Sequence, residues 1–522
     1  MSCWANPLTG SWCAAALTRP CCNGRRSDPP VSASPDTVLL CRFCGHLNES
    51  LEEGARCAQC GAFSGLETVA SGEARRRSRR IRLDFLRNRL VRAALVIAPL
   101  LVIAFWILWE YTGLPPDPPQ PSTAIGDTAV AVPAGDWPQA GGGVTNASAA
   151  VAPGLSAGGT PEVRWEYVAG SPIDTPPAVV GSRVYLTAED GSVVALDKES
   201  GTVIWRYDSG LPAGVTPAVS DGLVFAVFRP GIVTALDAES GELAWSKRLA
   251  TASLPSPTVA DGRLFVAETD QRRLLALDAA TGATLWDYQV GDWIIAPPAI
   301  NDSRLVVTAN DERIHVLDVN TGRPQMIYNA GGGRWTRDGP AVTDDLLHFS
   351  SNGARRDGSR GRVWGIDYRG HRYPLERPIY YVRTQLAVWG FAKHPPVQQG
   401  TVWSTRTGGK QPHQPAVSGQ TVVIADVGGL VSGLEVETGA IRWETDLEAG
   451  VAAGATIAGD VALVGDERGV ITALSLADGS EQWTATLEGP ITAQPIVSGE
   501  LLLAPVATEG GVLAALSVKS SR

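Results

Sequence analysis

The sequence predicts an all-β protein, most of which is an eight-bladed β-propeller preceded by a small zinc ribbon and one transmembrane helix. Two observations predict the fold. Gly occurs 57 times and Pro 36 times in 522 residues, which is typical of many turns between short strands. A unit of 40 to 41 residues also recurs along residues 137–522, and a period of this length indicates a solenoid or a propeller.

Composition and charge exclude several classes of protein. The fractions of 44% hydrophobic and 19% charged residues exclude wholesale disorder and a membrane protein with many spans. Residues 1–92 carry a net charge of +6 and residues 93–522 a net charge of −16, so the two ends experience different environments. All eight cysteines lie at or before Cys60, and the rest of the chain must fold without disulfides.

The repeat has a recognisable pattern. Five windows place a Trp four residues after a Gly, namely Gly201/Trp205, Gly241/Trp245, Gly282/Trp286, Gly439/Trp443 and Gly479/Trp483. In the first three, Ala-Leu-Asp precedes the Gly, with the aspartates at Asp197, Asp237 and Asp278. Weaker copies end at Asp318, Asp367, Glu435, Ser475 and Ser517, which makes eight units. Each unit alternates apolar and polar residues with period two between Gly-containing turns, and therefore predicts three to four short strands.

The two ends of the repeat region indicate a closed ring. The last unit stops at Ser517 without a Trp strand, whereas the segment from Glu162 to Tyr167 supplies an orphan Trp strand at the front. We expect this N-terminal strand to complete the last blade, because closure removes open sheet edges. A seven-bladed ring is the alternative, since the fifth unit is degenerate.

The pattern Ala-Leu-Asp-x3-Gly-x3-Trp resembles the quinoprotein-type PQQ-repeat propellers. That family includes periplasmic alcohol dehydrogenases and the non-catalytic propeller lipoprotein of outer-membrane protein assembly. The resemblance covers residues 137–522 and implies that each Trp docks against the neighbouring blade while the Asp orders the turn. The residues that it makes structural are Trp165, Trp205, Trp245, Trp286, Trp443, Trp483, Asp197, Asp237 and Asp278. An Asx-type turn is sufficient reason for these carboxylates, and we therefore nominate no catalytic residue.

The enzymes of the family combine the quinone cofactor with a Ca²⁺ ion, an Asp base and commonly a disulfide between adjacent cysteines. Residues 61–522 contain no cysteine, and no metal-ligand motif can be matched. We therefore expect neither PQQ nor dehydrogenase activity, and the cofactor-binding residues of such an enzyme would be unknown. A PQQ-dependent oxidoreductase is the alternative.

The N-terminal cysteines predict a metal site. Cys41 and Cys44 form one C-x2-C pair, Cys57 and Cys60 form a second after twelve residues, and each pair is followed by Gly. Four thiolates close a tetrahedral Zn site with no open position, so the metal would be structural. We assign a zinc ribbon to residues 37–66. Residues 1–36 are expected to be disordered or to precede the true start.

A membrane anchor follows. Residues 93–109 are 17 uncharged apolar positions, and we assign a transmembrane helix to residues 90–111. The Arg-rich juxtamembrane segment at 67–89 precedes it and a Pro-rich linker at 112–136 follows it. The positive-inside rule places the N-terminus in the cytoplasm and the propeller outside the cell membrane. A cleavable signal peptide is the alternative, but the apolar run begins only at residue 93.

One stretch departs from the repeat. Asp367 and Glu435 are 68 residues apart where 40 are expected, and residues 354–413 carry a net charge of +8. We expect an insertion of about 28 residues that offers a basic, aromatic binding surface. Its candidate residues are Arg355, Arg356, Arg372, Tyr380, Tyr381, Trp389, His394 and Trp403. The alternative is a solvated loop that pads a blade.

These features together predict a bacterial single-pass membrane protein whose propeller binds or scaffolds proteins of the cell envelope. No nucleic-acid partner is expected. The alternatives are the oxidoreductase and a transmembrane sensor that couples the propeller to the cytoplasmic zinc ribbon.

Overall fold

The computed structural model describes residues 37–48, 66–81, 83–84, 93–94, 97–101, 136–150, 161–253, 255–310, 313–329, 339–351, 361–369, 400–409 and 411–517. The chain divides into two compact units, Met1–Leu114 and Pro115–Arg522.

The first unit contains a three-stranded antiparallel sheet followed by a helix. Its strands are β1 (Thr37–Cys41), β2 (Leu47–Asn48) and β3 (Leu66–Ala70), in the order β2-β1-β3. Residues 71–81 are helical, and so are 83–84, 93–94 and 97–101. Leu40, Val69 and Ala74 form a small core between the sheet and the helix. The folded part of this unit therefore extends past residue 66 into the predicted juxtamembrane segment.

Only part of the predicted transmembrane helix can be compared with the structure. Residues 93–94 and 97–101 are helical, and the remainder of 90–111 lies outside the described residues. Among the described residues, no helix is both long and apolar enough to cross a membrane.

The described residues of the second unit form eight antiparallel sheets of four strands, one of which gains a short fifth strand, β4 (Ala149–Ala150). Sheet 1 consists of β6 (Ala178–Val180), β7 (Arg183–Thr187), β8 (Ser192–Asp197) and β9 (Val203–Asp208); sheet 2 of β10 (Ala218–Ser220), β11 (Leu223–Phe228), β12 (Ile232–Asp237) and β13 (Leu243–Arg248); and sheet 3 of β14 (Thr258–Ala260), β15 (Arg263–Glu268), β16 (Arg273–Asp278) and β17 (Thr284–Gln289). Sheet 4 consists of β18 (Ala299–Asn301), β19 (Arg304–Ala309), β20 (Arg313–Asp318) and β21 (Pro324–Asn329); sheet 5 of β22 (Ala341–Val342), β23 (Leu347–Ser351), β24 (Arg362–Ile366) and β25 (Thr401–Arg406); and sheet 6 of β26 (Ala416–Ser418), β27 (Thr421–Ala425), β28 (Leu430–Glu435) and β29 (Ile441–Asp446). Sheet 7 consists of β30 (Thr456–Ala458), β31 (Val461–Gly465), β32 (Val470–Ser475) and β33 (Glu481–Thr486), and sheet 8 of β34 (Ile496–Ser498), β35 (Leu501–Val506), β36 (Val512–Ser517) and β5 (Glu162–Val168).

The last sheet is completed by the N-terminal strand. β5 pairs antiparallel with β36, which sets Trp165 opposite Ala515 and Glu162 opposite Ser517. The expectation that the orphan Trp strand closes the final unit is confirmed.

Burial along the strands explains why the middle of each unit is so apolar. In sheet 1, β8 is buried at five of its six positions, because both faces of the strand are covered by protein. The outermost strand β9 instead alternates, with Trp205 buried and its neighbours on both sides exposed. This agrees with a sheet whose outer edge meets solvent.

Apolar clusters join each sheet to the next. Tyr185 of sheet 1 lies in one cluster with Phe228 of sheet 2, and similar clusters follow around the second unit. The last cluster joins Leu503 and Leu513 of sheet 8 to Val184 of sheet 1. The sheets therefore pack as the propeller fold requires, with the first and last in contact.

The ends of the strands define two faces of the second unit. The turn face carries the turns between first and second strands and between third and fourth strands, such as residues 181–182 and 198–202 of sheet 1. The connection face carries the turns between second and third strands and the segments that lead to the next sheet, such as 188–191 and 209–217.

The predicted insertion is confirmed and located. In sheet 1 the Asp197 N–H donates to the Thr202 carbonyl at 2.9 Å and closes a short turn between third and fourth strands. In sheet 5 the Asp367 N–H donates to the Gly400 carbonyl at 2.8 Å instead. The extra residues therefore enter at this turn of sheet 5, between β24 and β25, and residues 370–399 lie outside the described residues.

Candidate functional site

The repeated Trp and Gly form the seams between sheets. The Trp205 indole N–H donates to the Ala238 carbonyl of sheet 2 at 3.1 Å. The Trp205 ring covers Gly241, where an added Cβ would lie 2.7 Å from the ring. Gly241 also has φ +74°, a conformation that side chains rarely adopt. The motif therefore requires Gly for two reasons: the backbone has a positive φ at this position, and the Trp of the preceding sheet leaves no room for a Cβ.

The same contact recurs along the chain. The indole donations are Trp165 to Lys198 O (3.0 Å), Trp245 to Ala279 O (2.9 Å), Trp286 to Val319 O (3.1 Å) and Trp443 to Leu476 O (2.9 Å). Trp483 is 6% exposed and lies opposite Ala473, as Trp443 lies opposite Gly433. These six tryptophans are the ones that the family resemblance assigns to structure.

Trp403 belongs with them and not with an exposed surface, which corrects its place among the candidate binding residues. Its indole N–H donates to the Val436 carbonyl at 2.7 Å, its ring covers Gly439, and it is 7% exposed. The sequence concealed this because Gly400 stands three residues before Trp403, where the repeat has four. In sheet 4, Met326 occupies the Trp position and packs on Gly400.

The repeated aspartates order their own turns. Asp237 accepts hydrogen bonds from the backbone N–H of Ser240 at 2.8 Å and from its hydroxyl at 2.9 Å. Asp197 accepts the same pair from Ser200, and Asp278 accepts both from Thr281. These bonds, led by the one from the Ser240 N–H, lower the pKa of Asp237. In each of these carboxylates Oδ1 is thus committed to the turn.

The sequence reasoning missed a segment that we call the belt, Trp137–Ala150. It runs along the first strands of seven consecutive sheets and bonds to the backbone N–H in the middle of each. The contacts are Trp137 O with Val179 N (2.7 Å), Pro138 O with Val219 N (2.8 Å), Gln139 Oε1 with Val259 N (2.8 Å), Val144 O with Ile300 N (2.6 Å), Thr145 O with Val342 N (2.9 Å), Ala147 O with Val417 N (2.8 Å) and Ser148 O with Ile457 N (2.9 Å). The belt therefore lies at the centre of the propeller.

A loop of the belt crosses this centre. The Ser148 N–H donates to the Gly141 carbonyl at 2.9 Å, which closes residues 141–148 on themselves. Gly141 and Gly142 have φ of +71° and +86°, and the Trp137 ring covers Gly142. Trp137 is fully buried. The signal in the sequence was the Gly-Gly-Gly of residues 141–143, which permits this tight loop.

In sheet 1 the belt meets the first strand at Val179, close to the turn face. Val179 is followed at once by the turn at 181–182, whereas Ile173 and Pro172 of the same segment lie beside the connection face. The belt therefore occupies the channel close to the turn face.

An exposed tryptophan stands on that connection face. Trp293 lies between sheets 3 and 4 and is 43% exposed, although its backbone is fixed. The backbone N–H of Trp293 donates to Asp292 Oδ1 at 2.8 Å, and its backbone carbonyl accepts from the Asn310 N–H at 2.9 Å. The Arg272 guanidinium donates at 3.3 Å to the carbonyl of Gly291, two residues before Trp293. Trp is one of the residue types enriched in protein-binding hot spots, and Trp293 is therefore a candidate anchor.

The structure divides the remaining candidate binding residues. Arg355 and Arg356 fall in 352–360, which leads into β24 from the connection face. Arg372, Tyr380, Tyr381, Trp389 and His394 fall in 370–399, which leaves β24 at the turn face. All seven lie outside the described residues. They attach at opposite ends of a five-residue strand, so they do not form one continuous loop.

Sheet 5 also contains a fully buried histidine. His348 lies opposite Gly365, with its ring centroid 5.6 Å from that of Trp403. Tyr185, Phe225 and Phe265 occupy the same position beside their own tryptophans. Within the described part of the chain neither imidazole nitrogen has a hydrogen-bond partner, and desolvation lowers the pKa of His348 to about 4. The ring therefore fills an aromatic position as a neutral side chain.

Two of the four predicted zinc ligands lie in the described residues. Cys41 ends β1 and is fully buried, and its carbonyl accepts from the Gly45 N–H at 2.9 Å. Gly45 has φ +69°, as expected for the glycine after the first cysteine pair. Cys57 and Cys60 lie outside the described residues.

The quinone cofactor and its Ca²⁺ ion would need clustered acidic ligands. Among the described residues, no group of three or more His, Cys, Asp and Glu is placed to hold a metal ion. The buried aspartates of sheets 6 and 7 order turns instead: Asp426 accepts from Gly428 N at 2.8 Å and Asp466 from Arg468 N at 2.9 Å.

Four-stranded sheets joined by Trp–Gly seams define a quinoprotein-like β-propeller. The chain belongs to the family described as outer membrane protein assembly factor BamB, whose pattern matches residues 131–256, 229–367 and 396–522. A search of curated proteins finds no match.

Solved structures agree on the fold. BamB from Moraxella catarrhalis is 21% identical, with a TM-score of 0.55 over 70% of this chain and 99% of that one. The quinohemoprotein alcohol dehydrogenase from Comamonas testosteroni is 13% identical, with a TM-score of 0.54 over 74% of this chain and 81% of that one. The computationally designed protein Ika8 is 14% identical, with a TM-score of 0.53 over 67% of this chain and 98% of that one.

Proposed function

We propose that the protein is a membrane-anchored, non-catalytic propeller of eight blades outside the cell membrane. It binds proteins of the cell envelope through the loops of its connection face. Within this proposal the eight sheets are the eight blades. Cys41, Cys44, Cys57 and Cys60 hold a structural zinc ion, and residues 90–111 anchor the chain.

The observation that carries the proposal is the belt. It occupies the turn-face half of the channel, and the repeated Trp and Asp side chains are used by seams and turns. We assign partner recognition to the loops of the connection face, which carry the exposed Trp293. Membership of a family described as an outer membrane protein assembly factor supports a partner that is an envelope protein.

A variant at the exposed tryptophan tests this function. Cross-linking in intact cells, followed by purification of the full chain and mass spectrometry, identifies the partner and the cross-linked loops. Trp293→Ala should reduce the partner cross-links at least tenfold, because exposed aromatic anchors dominate binding energy. Leu243→Ala removes a similarly exposed apolar side chain from the outer strand of sheet 2 and should leave them unchanged.

The alternative function is tested on the same purified chain. The resemblance in fold to the quinohemoprotein dehydrogenase motivates a calorimetric titration with PQQ and Ca²⁺ and an assay of dye-linked alcohol oxidation. Saturable binding with turnover would overturn the non-catalytic assignment. Partner cross-links that persist in Trp293→Ala would count against the connection face.

A further inference from the structure

The helix at residues 71–81 is fixed on the sheet of the first unit. Ala74 is fully buried in the cluster with Leu40 and Val69, and Ile81 packs against the same cluster. The Ser78 hydroxyl donates to the Gly45 carbonyl. These contacts define which side of the helix faces the protein and which side faces outward.

The arginines of this helix divide into two groups. Arg77 is paired with Glu73 at 2.8 Å and lies 4.0 Å from Glu67. The arginine face consists of Arg75, Arg76, Arg79 and Arg80, which are all exposed and have no acidic partner among the described residues. At 3.6 residues per turn they lie within an arc of about 140° on the side opposite Ala74 and Ser78.

An apolar side chain continues this arc. Leu83 lies four residues after Arg79 and three after Arg80, and it is 59% exposed. Ile97, Leu100 and Leu101 are also exposed, within the uncharged stretch that begins at residue 93. Basic residues that lead into exposed apolar ones are the pattern of a helix that lies at a lipid headgroup surface.

We infer that the arginine face is a docking surface for the anionic phospholipid headgroups of the bilayer. Guanidinium groups bind phosphate oxygens in pairs, and a fixed helix presents four of them without first having to be ordered. The inference rests on the proposed anchoring, and it assigns to the first unit a fixed contact with the membrane surface.

The exposed leucines favour lipid over nucleic acid. A nucleic-acid backbone would use the same four guanidinium groups, but it offers nothing apolar for Leu83 to contact. An acyl-chain boundary next to the headgroups accommodates both kinds of side chain.

Thiol accessibility at Gly72 tests the inference on the full chain. Gly72 lies on the same arc, one turn before Arg75 and Arg76, and an added Cβ there meets nothing within 4 Å, so Gly72→Cys places a probe at the N-terminal end of the face. The variant is incorporated into nanodiscs of phosphatidylcholine alone or with one quarter phosphatidylglycerol. A maleimide is then added, and labelling of the peptide that contains residue 72 is followed by mass spectrometry.

We expect labelling to be at least tenfold slower with phosphatidylglycerol and to recover in 0.5 M NaCl. Changing all four residues of the arginine face to Gln should remove this difference, and changing them to Lys should keep most of it. Arg77→Gln is the matched control, because it removes an arginine of the same helix that is already ion-paired, and it should leave the protection unchanged. If the Gln variant misfolds, the salt titration of Gly72→Cys alone provides the test.

Equal labelling of Gly72→Cys in the two kinds of nanodisc would overturn the inference. So would protection by duplex DNA in nanodiscs without phosphatidylglycerol, which would make nucleic acid the occupant. Incorporation is measured separately by size-exclusion chromatography. A chain that enters neither nanodisc contradicts the anchoring itself, whereas a chain that enters both and is labelled equally contradicts the arginine face alone.

Discussion

Sheet 2 and sheet 5 are built on the same seam but differ elsewhere. In sheet 2 the third and fourth strands are joined by the short turn of Asp237, and Phe225 packs beside Trp245. In sheet 5 that turn is replaced by residues 370–399, and a buried His348 packs beside Trp403. Both tryptophans still donate to a carbonyl of the next sheet, at 2.9 and 2.7 Å. The packing of the indole ring on the next sheet thus constrains the Trp and the Gly that it covers, whereas the length of the turn between third and fourth strands can change.

The largest effect is expected from removing a seam. Trp205→Ala and Trp403→Ala should each lower the free energy of unfolding by about 3–5 kcal/mol, since each deletes a buried indole and its hydrogen bond. Urea unfolding of the full chain, followed by far-UV circular dichroism, measures both. Trp293→Ala is the control, because that side chain is 43% exposed and should cost less than about 1 kcal/mol.

Equal losses of unfolding free energy for Trp205→Ala and Trp403→Ala would show that the same seam stabilises sheets with and without the insertion. A loss below about 1 kcal/mol for Trp403→Ala alone would show that the inserted sheet is held by other contacts.

The buried histidine should make sheet 5 sensitive to acid. Its folded pKa of about 4 lies below the ordinary value of 6.5, so the unfolded chain binds a proton more readily. The contribution to stability is complete above pH 6.5 and is lost as the pH falls toward 4. The loss amounts to about 3 kcal/mol at pH 4, at 1.36 kcal/mol for each unit of pKa.

His348→Phe places in sheet 5 the side chain that sheets 2 and 3 have, and it should flatten this part of the pH profile. The measurement is the urea midpoint of both proteins from pH 7 to pH 4. Parallel profiles would show that His348 is not the group that titrates.

The sequence predicted the fold because its signals are local and repeated. The pattern from Asp237 to Trp245 marks a turn and the outer strand after it, and the unmatched strand at Trp165 revealed the closure. The belt was missed because it has no period of its own and because most of its bonds join residues more than a hundred positions apart, such as Gln139 and Val259. Trp403 was misplaced because Gln399, and not Gly, stands four residues before it.

The candidate site was less predictable for a related reason. Exposure of a single side chain depends on which loops surround it. Trp286 stands four residues after Gly282 and so matches the repeat, but the residues around Trp293 do not show whether its ring is exposed. Their burial follows from the seam geometry, since Trp286 covers Gly322 of the next sheet while Trp293 follows the end of β17 on the connection face.

The smallest expected effect separates the two roles of the repeated glycine. Gly241 and Gly222 both belong to sheet 2 and have φ of +74° and +76°. An added Cβ would meet the Trp205 ring at Gly241 and nothing within 4 Å at Gly222. Gly222→Ala therefore measures the backbone strain alone, about 1 kcal/mol. Gly241→Ala should cost about 1–3 kcal/mol more, because it also pushes the seam apart. Urea midpoints compare the two, and equal losses would mean that the Trp yields freely, so that the glycine of the motif serves its turn and not the seam.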